Sequence, residues 1–359
     1  MNINDIIIYV MAFFALLGAL DRVFGNRFGL GKKFEEGIMT IGALSISMIG
    51  ILVLSPVIAN VLRPVLVPIA NLMDFDPAMA IGMILANDLG GATLAQEIAL
   101  TSEAAELGGL VTGSMMGATI VFTIPVALGI VSSEDHVYVA KGVLAGLTTV
   151  PLGCFVSGLV AGYPIEMILK NIFPIILLVL FIVIGLVKKT DWMLKGFIVF
   201  GKVITMIITL GLGIGIFQGL TGMIILEGTM PIEECFSIVV DIVMVLAGAF
   251  PFVFVITEIC KKPLQKLGRC IGINETAASG LVVTLANSVP MFGMLKSMDK
   301  KGKIVNMAFA VSAAFVFGDH LGFTAGFNSD MIIPVIVGKL IAGISAIGIA
   351  VLISSTKKI

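Results

Sequence analysis

The chain reads as an all-α polytopic membrane protein, with about nine spanning helices plus two re-entrant helical hairpins in an inverted repeat. Three observations lead there. Hydrophobic residues make up 58% and charged residues 13% of the 359 positions, about half the ~25% charged content of soluble domains. The mean hydropathy is +1.13. Apolar stretches of the ~20 residues that a bilayer requires recur along the whole chain. Two more apolar stretches are interrupted in their middles by polar residues and helix breakers, at corresponding places in the two halves.

The uninterrupted spans are expected at 6–24, 38–62, 107–131, 137–162, 167–187, 194–220, 236–259, 304–327 and 331–354. The interrupted segments are 77–100 and 273–296. The first carries Leu85-Ala86-Asn87, then Asp88 and Gly90-Gly91; the second carries Leu285-Ala286-Asn287, then Ser288, Pro290 and Gly293. Polar side chains and broken backbone persist in lipid only where protein or a water-filled cavity surrounds them. Paired interruptions of this kind are the best sequence pointer to a transporter's binding site.

Loop charge decides which segments cross, because short cytoplasmic loops collect Lys and Arg. Arg22, Arg27, Lys32 and Lys33 place the first connection inside and the N-terminus outside. Lys188, Lys189 and Lys195 mark another inside connection, as do Lys261, Lys262, Lys266 and Arg269, then Lys296, Lys300, Lys301 and Lys303. Lys357 and Lys358 place the C-terminus in the cytoplasm. The stretches holding Glu97, Glu103 and Glu106, and Glu227, Glu233 and Glu234, carry no basic residue. Segment 273–296 thus has a basic loop on both sides and is expected to enter and leave from the cytoplasm. Segment 77–100 is expected to do the same from outside. Hairpin arms of ~10–12 residues rise ~15–18 Å, about half the hydrocarbon thickness, so the two tips would meet near the midplane.

This gives residues 1–165 as a first repeat (hairpin about 77–100), 166–190 as a linking helix and 191–359 as a second, inverted repeat (hairpin about 273–296). Pro56 and Pro251 are expected to close the second helix of each half. The N-terminal residues lack a basic region and a small-residue cleavage site, so the first span is expected to be retained.

Several function classes are excluded. A net charge of -1 and a pI of about 6.1 give no nucleic-acid footprint. Cys154, Cys235, Cys260 and Cys270 show no CxxC spacing and only two histidines exist, so no metal site or disulfide scaffold is expected. No Walker motif, catalytic triad or HExxH appears. Neither a catalytic residue nor a cofactor is therefore expected, and the protein reads as a transporter rather than an enzyme. Gly211, Gly213 and Gly215 lie inside a span with no preceding strand and are no nucleotide loop. Gly109, Gly113 and Gly117, and Gly158 with Gly162, read as close-packing helix faces.

The candidate substrate-binding residues are Asn87, Asp88, Glu97, Asn287, Asp319 and His320, with Ser114 and Thr119 as weaker members and Gln96 beside them. Asp88 at the first tip reads either as a helix cap or as the counter-charge of a cationic substrate. Glu97 lies either in the cavity or near the outer surface. Asp319 and His320 lie deep in the expected span 304–327, where intramembrane ionisable groups default to substrate or proton pathways; the alternative is a pair that locks two helices. As helix neighbours they point ~100° apart, unless Gly318 and Gly322 make the helix irregular. Asn87 and Asn287 offer donors and acceptors for a small polar solute, or cap the broken helices.

Phe34-Glu35-Glu36-Gly37, Ser114-Met115-Met116-Gly117 with the stretch 119–130, the stretch 284–294, and Ala310-Val311-Ser312-Ala313-Ala314-Phe315 with Gly318-Asp319-His320-Leu321-Gly322-Phe323 resemble the ethanolamine-utilisation permease family, EutH. The resemblance covers essentially the whole chain, with shorter loops around 25–33 and 221–231. It implies a bacterial inner-membrane permease that brings ethanolamine to a cytosolic ammonia-lyase, often housed in a microcompartment, when external ethanolamine is scarce or acidified. Its partners would be ethanolamine and the lipid bilayer; elevator-type carriers often pair, so a homo-oligomer is compatible with the sequence, which leaves the oligomeric state open. A proton- or sodium-coupled symporter of another small amine or amino acid is the alternative.

Overall fold

The computed structural model describes residues 3–355. The basic pair Lys357-Lys358 and the side chains of Lys261, Lys262 and Arg269, used above to assign sidedness, lie outside the described residues. The described residues form α-, π- and 3-10 helices, with no strand among them. Eight helices among them are long and apolar enough to cross a membrane.

In order, α1 spans Ile3–Val23, α2 Leu30–Met73, α3 Ala78–Ile84, α4 Gly91–Ile98 and α5 Ser102–Ile130. Next come α6 (His136–Leu147), α7 (Val150–Val160), α8 (Ile165–Lys188), α9 (Thr190–Thr221) and α10 (Ile232–Ile271). The chain closes with α11 (Glu275–Ala286), α12 (Ser288–Met294), α13 (Lys300–Ala313), α14 (Asp319–Phe327) and α15 (Ile332–Ser355).

Two sequence expectations need correcting. Pro56 and Pro251 do not close their helices: α2 and α10 run on past them. A proline leaves the carbonyl four residues back without its N–H partner. At Pro56 that carbonyl belongs to Leu52, and the Ser55 hydroxyl donates to it at 3.1 Å. The expected span 304–327 is not one helix either. α13 stops at Ala313, the chain crosses 314–318 without helix, and Asp319 opens α14.

The physical reason for the second break lies across the molecule. α11 ends at Ala286, which leaves its last carbonyls without intrahelical partners. The Phe315 and Phe317 N–H groups donate to Thr284 and Leu285 carbonyls at 3.1 and 2.9 Å. Two interruptions therefore satisfy one another. Phe315 adopts φ 60°, a left-handed conformation that costs a non-glycine residue about 1–2 kcal/mol; the two cross-chain bonds offset it.

Each interrupted segment is tied at its base. The Asp76 carboxylate accepts from Ala78 N at 2.9 Å, where α3 begins, and from Leu100 N and Thr101 N at 2.9 and 3.2 Å, just past α4. The Asp299 carboxylate accepts from Asn274 N at 2.8 Å, just before α11, and caps α13 through Gly302 N at 3.1 Å. The start and end of each segment thus lie side by side.

The helices sort into two packed groups. α1, α2, α9 and α10 pack on one another; α3 to α7 pack with α13 and α15. α11 and α14 pack against α10 and so join the groups, while α8 lies against α3, α6, α7 and α9. Large apolar side chains of α1, α8 and α9 such as Phe13, Phe181 and Leu210 are exposed, as a lipid-facing belt requires.

Candidate functional site

The stretch after α4 is unusual. α5 is π-helical over Leu107–Gly117 and again over Thr119–Thr123, a geometry that concentrates at functional sites. Its glycines seat the first interrupted segment. A Cβ on Gly117 would stand 1.9 Å from the Leu85 carbonyl oxygen, and one on Gly113 3.0 Å from Asn87 N. Gly109 meets Ala92 in the same way, so the small-residue face expected from sequence is realised along one side of the break. Gly162, by contrast, has no neighbour there and adopts φ +80°, ending α7.

Between α3 and α4 the backbone leaves the helix at Leu85 and Ala86, turns through Asn87–Leu89 and re-enters at Gly91. Asn87 is completely buried, and neither its amide nitrogen nor its amide oxygen has a protein partner. Buried polar atoms without partners are rare and call for explanation. Others flank the remaining breaks: the hydroxyls of Thr93, Thr284, Ser288 and Ser312. Asp88 is partly exposed beside Asn87.

The turn holding Asp88 packs against α14, whose first residue is Asp319. Asp319 is also partly exposed. Both carboxylates sit in the first turn of a short helical element, where unpaired N–H groups favour negative charge.

Behind the carboxylates lies a residue that the sequence reading missed. Lys339, in the middle of α15, is 0% exposed. Its side-chain nitrogen stands 2.6 Å from the Ser114 carbonyl oxygen of the π-helix and 3.0 Å from His320 Nδ1. His320 is itself 3% exposed and packs at 5.2 Å on the Phe315 ring, which in turn meets Phe122 at 5.6 Å. The signal is a lone lysine inside an apolar helix, unlike the lysines that cluster in the basic loops.

The remaining candidates fall elsewhere. Ser114 joins the cluster through its carbonyl, while its hydroxyl donates to Val111 O at 2.9 Å. The Thr119 hydroxyl stands 2.7 Å from Met115 O and 3.0 Å from Val311 O, tying α5 to α13. Asn287 is exposed and caps α12 through Val289 N at 2.8 Å. It lines a cleft of about 320 Å³ with Lys33, Glu36, Phe254 and Pro290. Glu97 lies far up α4, its carbonyl held by the Arg63 guanidinium. Gln96 lines another cleft, of about 340 Å³, between the far ends of α4 and α14, with Ala92, Glu106, Phe327 and Asn328.

At that same end the Glu106 carboxylate accepts from the Asn328 amide at 2.7 Å and from the Tyr163 hydroxyl. No cluster of metal-binding side chains occurs among the described residues. The arrangement is therefore one of charge and hydrogen bonding: two accessible carboxylates, a sealed basic pair, and polar atoms awaiting partners.

Comparison with known proteins places this geometry in context. The profile of the family described as "Ethanolamine utilisation protein, EutH" matches residues 3–353. A "Probable ethanolamine permease EutH" of Listeria monocytogenes serotype 1/2a (strain 10403S) is 56% identical over 351 residues, 98% of this chain and 94% of the relative. Its counterpart in Escherichia coli (strain K12), of the same name, is 44% identical over 391 residues, covering 98% and 96%. A Bacillus subtilis (strain 168) protein, "Uncharacterized protein YxeR", is 45% identical over 346 residues, covering 96% and 94%. No solved structure matches the chain.

Proposed function

The chain belongs to the ethanolamine utilisation EutH family, and on that premise we propose that it carries ethanolamine across the bilayer through the junction of its broken helices. It is a multi-pass membrane protein and a permease rather than an enzyme. Ethanolamine is a small cation with one hydroxyl. Its ammonium form does not cross lipid unaided, because an isolated charge in an apolar medium is strongly disfavoured. Asp88 and Asp319 offset that charge. Asn87 and the unpartnered hydroxyls at the breaks take the substrate hydroxyl and the remaining ammonium protons.

The observation that carries this reading is the juxtaposition of two partly exposed carboxylates from separate breaks over a buried polar wall. The two interrupted segments act as re-entrant hairpins from opposite faces. The Asp76 and Asp299 clasps support this, since a spanning segment would part its ends by about 30 Å. The clefts lined by Gln96 and by Asn287 serve as the outer and inner approaches, so these two residues act there rather than at the carboxylates. The inverted repeat is supported by the way corresponding helices of both halves share each packed group. In a cell the protein sits in the bacterial cytoplasmic membrane and supplies ethanolamine to the ammonia-lyase.

Uptake of labelled ethanolamine into proteoliposomes, across imposed pH and sodium gradients, tests the reading and identifies any coupling ion. Asp88→Asn or Asp319→Asn should abolish uptake at low pH while the protein still reaches the membrane. Normal uptake in both variants would remove the counter-charge role.

A further inference from the structure

We infer that Lys339 sets the charge selectivity of this site: it neutralises one of the two carboxylates, so the pocket accepts amines with a single positive charge and rejects diamines. The inference rests on the transport reading above and extends it to a residue outside the predicted set.

Lys339 Nζ and His320 Nδ1 stand 3.0 Å apart. A lysine ammonium has only donors, so it needs an unprotonated Nδ1; a protonated Nδ1 needs a neutral amine. With lysine as the ammonium, both neighbours, Nδ1 and the Ser114 carbonyl, accept from it, and in that form the pair carries one positive charge. The pair is sealed from solvent, at 0% and 3% exposure, and the Ser114 carbonyl pins the nitrogen from the π-helix at 2.6 Å. Nothing about its position suits an exchangeable surface charge.

In front of it stand Asp319, the residue before His320 at the start of α14, and Asp88, in the turn that packs on α14. Two carboxylates against one positive charge leave the ionised cluster with a single net negative charge. One ammonium neutralises it. A second ammonium would be buried without a counter-ion beside a like charge, which is strongly unfavourable. The hydroxyl of ethanolamine brings no such penalty.

The test uses 1,2-diaminoethane, which matches ethanolamine in length but replaces the hydroxyl with a second amine. In proteoliposomes at mildly acidic pH, where both its nitrogens are protonated, the unsubstituted protein should take up ethanolamine and discriminate against the diamine. Lys339→Met should raise the ratio of diamine to ethanolamine uptake by about tenfold or more, and Lys339→Arg should leave it low. A lysine that merely locks α15 to α5 would lower total uptake without moving this ratio. If Lys339→Met fails to fold, Asp88→Asn combined with Lys339→Met restores the charge balance and should regain the ethanolamine uptake that Asp88→Asn alone loses. An unchanged ratio in Lys339→Met, or a double variant as inactive as Asp88→Asn, overturns the inference. Absence of ethanolamine uptake by the unsubstituted protein overturns the transport reading and this inference with it.

Discussion

Tyr163 shows how a single residue can report on the end of the molecule where α4, α7 and α14 finish. It lies between α7 and α8, where its hydroxyl donates to the Glu106 carboxylate, which also takes the Asn328 amide at 2.7 Å. Three separate elements therefore meet at one carboxylate. Burial, and then the Glu106 charge, push the phenol well above its ordinary range. A group whose folded value is raised stabilises the fold below its unfolded value, about 10 for tyrosine, and loses that contribution as pH rises past it. Thermal unfolding in detergent should therefore show a steeper alkaline fall for the unsubstituted protein than for Tyr163→Phe. At neutral pH the variant should be less stable by about 1–2 kcal/mol, the worth of one hydrogen bond to a charged group. Parallel alkaline profiles for the two proteins would show that the phenol is not held by this contact.

The same scale explains what was readable in the site and what was not. Asn87, Asp88, Asp319 and His320 stood out because polar groups inside apolar runs are disfavoured unless used, and all four lie at or beside breaks. Lys339 obeys the same rule, but lysine is also the residue that marks cytoplasmic loops, and this masks it in the sequence. Asn287 matched Asn87 in sequence but not in environment: one is exposed and caps a helix, the other is fully buried without partners. A shared tripeptide fixes the local break, not which neighbours close over it.

At the scale of elements, the two interruptions rich in Asn, Gly and Pro were legible, because such residues break helices locally. The third was not. Ala313 to Phe317 holds no breaker, and helix is lost there because Thr284 and Leu285 carbonyls take the Phe315 and Phe317 N–H groups. That is tertiary demand overriding a helical pattern. The bases of the segments were equally silent in sequence, since a loop aspartate gives no hint of its partner 24 residues away at Leu100. Asp76 accepts three backbone N–H bonds and its own N–H donates to Asn171 Oδ1 at 2.8 Å. Asp76→Ala should thus cost about 2–4 kcal/mol in unfolding free energy and lower ethanolamine uptake through a loosened first segment. Asp76→Asn keeps one acceptor and should fall between. Equal stability of all three proteins would mean that the clasp does not hold the segment.

At the scale of the whole molecule, the hydrogen bonds sort the chain ends into two sets. One set joins Asp76, Leu100, Thr101 and Asn171, and near it Glu106, Tyr163 and Asn328. The other joins Asp135 to Lys303, whose nitrogen meets both carboxylate oxygens at 2.6 and 2.7 Å, and Asn274 to Asp299. The second set carries Lys296, Lys300, Lys301 and Lys303 around the start of α13, and under the proposed topology this positive charge lies in the cytoplasm and the first set outside. That topology would make the Gln96 cleft the way in and would fix which segment opens to which side. Single cysteines replace Glu166 and Lys300 in a background without native cysteine, and intact cells meet a membrane-impermeant thiol reagent. Glu166→Cys, exposed beside the first set, should label at once; Lys300→Cys should label only after the membrane is permeabilised. Labelling of Lys300→Cys in intact cells would mean that segment 273–296 threads the bilayer, separating the two carboxylates from a common midplane site and leaving the charge pairing around Lys339 without a transport role.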